Sequence, residues 1–86
     1  MHHAITSVEP MSDYKVLVSF NNGERGVLDM KPYLESGVFR RLKDVEVFQR
    51  VRVAFDTIEW EVGVDLDPEF VYAKSLRIES ATDLQR

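Results

Sequence analysis

Apolar and polar residues alternate with a period of two along several stretches of this chain. The clearest runs from Tyr14 to Phe20, where Tyr14, Val16, Val18 and Phe20 alternate with Lys15, Leu17 and Ser19. That is the signature of a strand with one buried face. Asn21-Asn22-Gly23 follows at once, and Asn-Gly tolerates the positive φ that a two-residue type I′ turn needs at both central positions. A tight loop at Asn22-Gly23 sets Val18 opposite Val27 and Leu17 opposite Leu28, with the second arm from Glu24 to Asp29. Upstream, Ala4 to Val8 reads as a strand, followed by turn residues at Pro10 and Ser12-Asp13. Val51 to Phe55 and Ile58 to Val62 alternate again around a turn at Asp56-Thr57 and should pair with one another. Gly63 breaks the pattern.

The remaining segments read as helical turns. Pro32 opens a short one through Leu34-Glu35, and Gly37 ends it. Phe39, Leu42, Val45 and Phe48 are spaced for a helical face over the sheet, with Asp44 placed to cap a short turn through Phe48. Asp67-Pro68-Glu69 is a strong helix start: a capping acid, proline at the first helical position, and a second acid in the first turn. That helix should run from about Pro68 to Ser75. The order of elements predicts an α+β fold: a small, mainly antiparallel sheet of about five strands, hairpin plus second strand pair, with short helices packed on one face. Residues 4–77 form the single domain, 1–3 a frayed start and 78–86 a polar tail.

Composition narrows the class. The chain has 86 residues, 44% hydrophobic and 30% charged, which is the balance of an ordinary globular domain. It contains no cysteine, so disulfides, thiolate nucleophiles and Cys-ligated metals are excluded. No run of ~18 apolar residues could span a bilayer, no secretory leader pattern opens the chain, and a cytoplasmic location is expected. A core this small leaves little room for an enclosed ligand cavity, which favours a flat functional surface.

The candidate chemistry is sparse. The two histidines are adjacent at the start, so no Ser-His-Asp set is available, and Gly23-x-x-Gly26 lacks the Gly-Lys-Ser/Thr of a phosphate loop. No catalytic, cofactor or metal residue is assigned. Asp56, Glu59, Glu61, Asp65, Asp67 and Glu69 fall within fourteen residues and could hold a divalent cation or small ligand. A solvated strand face plus a helix cap accounts for them more simply. Arg40, Arg41, Lys43, Arg50 and Arg52 make the segment 40–52 locally basic, +3 against −6 for 56–69. That stripe could contact nucleic-acid phosphates, although the chain as a whole carries −4. The two segments instead suggest opposite poles that steer a protein partner or a second copy, with Arg40, Arg41, Lys43, Arg50, Arg52, Glu59 and Glu61 as candidate contact residues. Trp60, the sole tryptophan, reads as core, with an interface anchor as the alternative.

The order of these features resembles the bacterial domain-of-unknown-function family DUF2442. The carriers are Val16-Leu17-Val18-Ser19-Phe20 with Asn22-Gly23-Glu24, Leu28-Asp29, Gly37-Val38-Phe39-Arg40-Arg41-Leu42-Lys43-Asp44, Phe48, Ile58-Glu59-Trp60, and Asp65-Leu66-Asp67-Pro68-Glu69 with Tyr72. Glu61-Val62 departs from the small residue or proline that members often carry after the tryptophan. The resemblance implies a small α+β domain without established enzymatic activity. Some members are fused to a helix-turn-helix module and others are encoded beside small toxin-like proteins, which implies a regulatory or antitoxin-like role. The expectation is a non-enzymatic protein-interaction module, its partner another protein such as a toxin-like neighbour, with a homodimer as a further option. A ligand- or metal-binding domain using the acidic segment is the alternative, and nucleic-acid contact through the basic segment is the less favoured third.

Overall fold

The structure is a computed structural model in which residues 3–78 are described. Seven strands form two antiparallel sheets rather than one sheet of five. Strands β1 (Ile5–Met11), β2 (Lys15–Phe20), β3 (Arg25–Asp29) and β7 (Leu76–Ile78) make a four-stranded sheet in the order β1-β2-β3-β7. Strands β4 (Val51–Ala54), β5 (Thr57–Trp60) and β6 (Val64–Asp65) make the second, in chain order. The sheets meet where β1 runs beside β4, and Ile5 N–H donates to the Asp56 carbonyl at 2.9 Å. Strand β1 continues through Pro10, which faces Val16. A proline lacking N–H is tolerated there because β1 is an edge strand.

The β2–β3 hairpin exists as expected, but its register is one residue away from the expected one. Val18 faces Gly26, Leu17 faces Val27 and Val16 faces Leu28. The loop has three residues, Asn21 to Gly23, closed by Gly23 N–H donating to Phe20 O at 3.0 Å and Phe20 N–H to Glu24 O at 2.9 Å. Gly23 alone in this loop takes positive φ, +89°. Asn22 is held out of the left-handed region while its Oδ1 accepts from Glu24 N–H at 3.0 Å. This is the three-residue loop with a terminal left-handed glycine, not a type I′ turn. The hydrophobic pattern selects it: opposite residues share a face, so this register buries Leu28 beside Val16, whereas a one-residue slip would turn Leu28 outward.

The same device recurs at Glu61-Val62-Gly63. Gly63 has φ +90° and its N–H donates to Trp60 O at 2.9 Å, so Gly63 does not end the sheet but folds β6 back onto β5. The type I′ turn lies elsewhere, between β4 and β5. Ala54 faces Thr57, leaving Phe55 at φ +52° and Asp56 at φ +67° as the two loop residues. Phe55, expected as the last inward residue of a strand, is therefore a turn residue. Tyr14 likewise leaves its expected strand and sits at φ +60° in the β1–β2 loop. There it is well held: its hydroxyl donates to Lys43 O, its ring meets Phe48 edge-on at 5.3 Å, and its carbonyl accepts from Met30 N–H at 2.9 Å.

The capped helices fall where the sequence places them, whereas the turn opened by Pro32 ends at Tyr33 and Gly37, expected to end it, opens the next segment instead. Two 3-10 segments, Lys31–Tyr33 and Gly37–Lys43, precede helix α1 (Val45–Phe48), whose cap Asp44 accepts from Glu46 N–H at 3.0 Å. Helix α2 (Pro68–Lys74) is capped by Asp67, which accepts from Glu69 N–H at 2.8 Å. The core gathers Val16, Val18, Leu28, Leu42, Phe48, Ile58, Trp60 and Val71, among others. Trp60 is fully buried and its indole N–H donates to Phe48 O at 2.8 Å, which ties α1 to β5 and satisfies the one polar atom of the ring.

Candidate functional site

Of the residues expected to form two charged poles, the structure brings Arg52 against Glu59. Arg40, Arg41 and Lys43 are exposed on the second 3-10 segment. Arg41 reaches the β5–β6 loop, its guanidinium donating to Val62 O at 3.1 Å, beside Glu61. Lys43 pairs with Glu35 at 2.8 Å and holds that carboxyl below its usual range. Arg52 on β4 faces Glu59 on β5 and binds it at 2.9 Å. Arg50 is exposed between α1 and β4. Antiparallel pairing of β4 with β5 is what lays Arg52 of the basic segment against Glu59 of the acidic one. Glu59 faces Asp65 across β5 and β6, yet among the described residues no group of three or more His, Asp or Glu is placed to hold a metal ion.

The most unusual feature is the tip of the β4–β5 hairpin. Phe55 is 95% exposed at φ +52°, with Val53, 38% exposed, behind it. An L-residue in the left-handed region costs ~1–2 kcal/mol, which is why such turns normally use Asn or Gly. The aromatic ring, whose burial would contribute ~1.5–3 kcal/mol, meets solvent. The alternation Val51-Val53-Phe55 hides this position in the sequence, since it reads as a third inward residue. Only the pairing of Ala54 with Thr57 moves it into the turn.

A second arrangement, also missed in the sequence, surrounds Tyr72 of α2. On one face of its ring the His3 imidazole stacks at 3.6 Å and 13°. The Arg77 guanidinium lies 4.0 Å from the ring centroid, in the range of a cation–π contact, and also approaches Phe20 at 5.2 Å. Tyr72 hydroxyl donates to Glu24 Oε1, and Asn22 donates to the same oxygen at 2.6 Å. These bonds hold the Glu24 carboxyl below its usual range, and the Glu24 acceptor in turn raises the phenol above its own. His3 binds Glu69 twice, through its backbone N–H at 2.8 Å and Nδ1 at 2.7 Å, which lowers the Glu69 pKa. His3 and the strand after α2 are therefore both fastened to this helix. His3, grouped with a frayed start in the sequence, and Ile78, grouped with the tail, are both built into the domain. The rest of those two segments, 1–2 and 79–86, lies outside the described residues.

A cleft between the β1–β2 loop and α1, lined by Met11, Tyr14, Val45 and Phe48, measures about 50 Å³. That holds a water or two, not a metabolite.

A family model described as Protein of unknown function (DUF2442) matches residues 5–77. The chain belongs to this family. The DUF2442 match runs from the first residue of β1 into β7, so it contains both sheets, the Phe55 tip, Tyr72 and Arg77, while His3 stands just outside it. No curated protein and no solved structure matches the chain. No helix of the described residues is long and apolar enough to cross a membrane.

Proposed function

We propose that this DUF2442 domain is a non-catalytic protein-interaction module with a regulatory or antitoxin-like role, and that the β4–β5 tip is where it grips its partner. The observation that carries this reading is Phe55: an aromatic ring 95% exposed, on a backbone conformation that disfavours it. The ring lies outside the described core, and a partner's apolar socket would cover it. Aromatic anchors of this kind dominate protein interfaces. Arg52 and Glu59 lie close behind the tip and suit the polar rim of such a contact, with Arg40, Arg41, Lys43, Arg50 and Glu61 available farther out. The nucleic-acid reading lacks comparable support, since Arg41, Lys43 and Arg52 already have acceptors.

The test is coexpression with the protein encoded beside this chain, followed by titration of the purified pair. A measurable complex that weakens at least tenfold in Phe55→Asn, with no loss of melting temperature, supports the reading. Unchanged affinity in Phe55→Asn removes the tip from the interface. A rise in melting temperature with calcium, magnesium or manganese that disappears in Asp65→Asn would promote the metal-binding alternative.

A further inference from the structure

The four-stranded sheet turns one face away from the core of the domain. Helices α1 and α2 and the second sheet close on its inner face, through Phe48, Val71 and Trp60 gathered with Val16 and Val18. An antiparallel sheet with one buried face is expected to turn polar residues outward on the other. Here Leu17, Val27 and Leu76 face one another across β2, β3 and β7 and make an apolar row on the outer face instead. Leu17 is 8% exposed, Val27 half-buried and Leu76 76% exposed, and none of the three belongs to the core cluster. Lys15 and Asp29 face each other on one side of this row, and Ser19 and Arg25 on the other. Glu9 ends the row on β1, opposite Leu17.

We infer that this face pairs with the same face of a second copy, the two sheets stacked about a two-fold axis that runs along the strands between β2 and β3. The side chains select that occupant and that axis. Such an axis exchanges cross-strand neighbours, so each residue of β2 meets the second copy's version of its own β3 neighbour. Leu17 then lies on the second copy's Val27, Lys15 on its Asp29 and Ser19 on its Arg25. Apolar meets apolar and cation meets anion, and the symmetry makes each contact twice. A two-fold across the strands would instead stack Glu9 on the Glu9 of the second copy, and like charges so placed repel. Four strands ~4.8 Å apart and about six residues long offer ~400 Å² a side, about half of what a standard interface takes from each partner. The pair is therefore a weak one that forms at high protein concentration. The Phe55 tip stands on the other sheet and takes no part in it.

Glu9 and Leu76 report this arrangement. Both are exposed, on the two outer strands of the sheet, and the axis brings Glu9 of one copy over Leu76 of the other. The chain has no cysteine of its own. Protein carrying Glu9→Cys is mixed at high concentration with protein carrying Leu76→Cys and treated with a short bis-maleimide. A crosslink between positions 9 and 76, identified by mass, should form in several-fold excess over the statistical share relative to 9–9 and 76–76 crosslinks. Sedimentation equilibrium at rising concentration should show the parent chain passing from monomer to dimer. Leu76→Glu sets a carboxylate against the second copy's Glu9 and should weaken that dimer several-fold, whereas Leu76→Lys, at the same exposed position, should not. Phe55→Glu adds the same charge at the tip and should leave the dimer unchanged. A parent that stays monomeric at every concentration overturns the pairing. So does a dimer whose crosslinks are statistical or favour 9–9 and 76–76, or one that Phe55→Glu weakens as much as Leu76→Glu, since the copies then meet in another way.

Discussion

Phe55 shows how a single side chain can be costly for the fold. The left-handed backbone at this position suits Asn, whose short polar side chain tolerates it, far better than Phe. Phe55→Asn should therefore stabilise the isolated domain by ~1 kcal/mol, a rise of roughly 4–8 °C in melting temperature for a domain of this size. A drop in melting temperature would mean that the ring packs on the domain in solution. The carboxylates around Tyr72 make a separate statement at the same scale. His3 depresses the Glu69 pKa and the Tyr72 hydroxyl depresses that of Glu24. A carboxyl that ionises more readily folded than unfolded stabilises the domain above its unfolded value, about 4.3 for glutamate, and that stability drains as pH falls through the folded value. Tyr72 is shifted upward, so its contribution is complete below about pH 10 and is lost as pH rises past that. In denaturant melts across pH, Glu24→Gln with Glu69→Gln should flatten the acid limb below about pH 4.3. An acid limb as steep as that of the parent would show that other carboxylates govern it.

Among the elements, loops and caps carry the most local information. Gly23 and Gly63 close equivalent three-residue loops at φ +89° and +90°. Alanine there meets no steric neighbour, so the expected loss, ~1 kcal/mol or more, is purely one of backbone conformation. Equal losses at the two sites, measured by urea midpoints, would confirm the shared design. Asp67 stands at the start of α2, with one carboxylate oxygen on Glu69 N–H. Asp67→Ala should cost ~1 kcal/mol, and an unchanged melt would remove the cap. The helix ends were legible because proline and a capping acid act on their own neighbours. The strand ends at Tyr14 and Phe55 were not, because alternation alone cannot say where a strand stops when the next residue in phase is also apolar.

For the whole molecule, the two sheets are joined by a core in which Trp60 binds the carbonyl that ends α1. Trp60→Phe removes both ring volume and that donor, and should destabilise by ~2–4 kcal/mol. Urea unfolding should show a lower midpoint with an unchanged slope. A loss below about 1 kcal/mol would mean the core closes over the gap.

By itself the sequence determined what depends on neighbours along the chain: the α+β class, the existence of the β2–β3 hairpin, the capped helices, and the buried face of Val16, Val18 and Phe20. It also carried the family pattern. The tertiary structure decided what depends on partners far apart. Burial of Leu28 against Val16 chose the register, pairing of β4 with β5 set Arg52 on Glu59, and Gly63 turned an ending into a third strand. Packing on α2 brought His3, Glu24 and Arg77 around Tyr72 from positions up to 74 residues apart. Short-range sterics and hydrogen bonds are written residue by residue, whereas register and charge pairing are settled only when the core has somewhere to close.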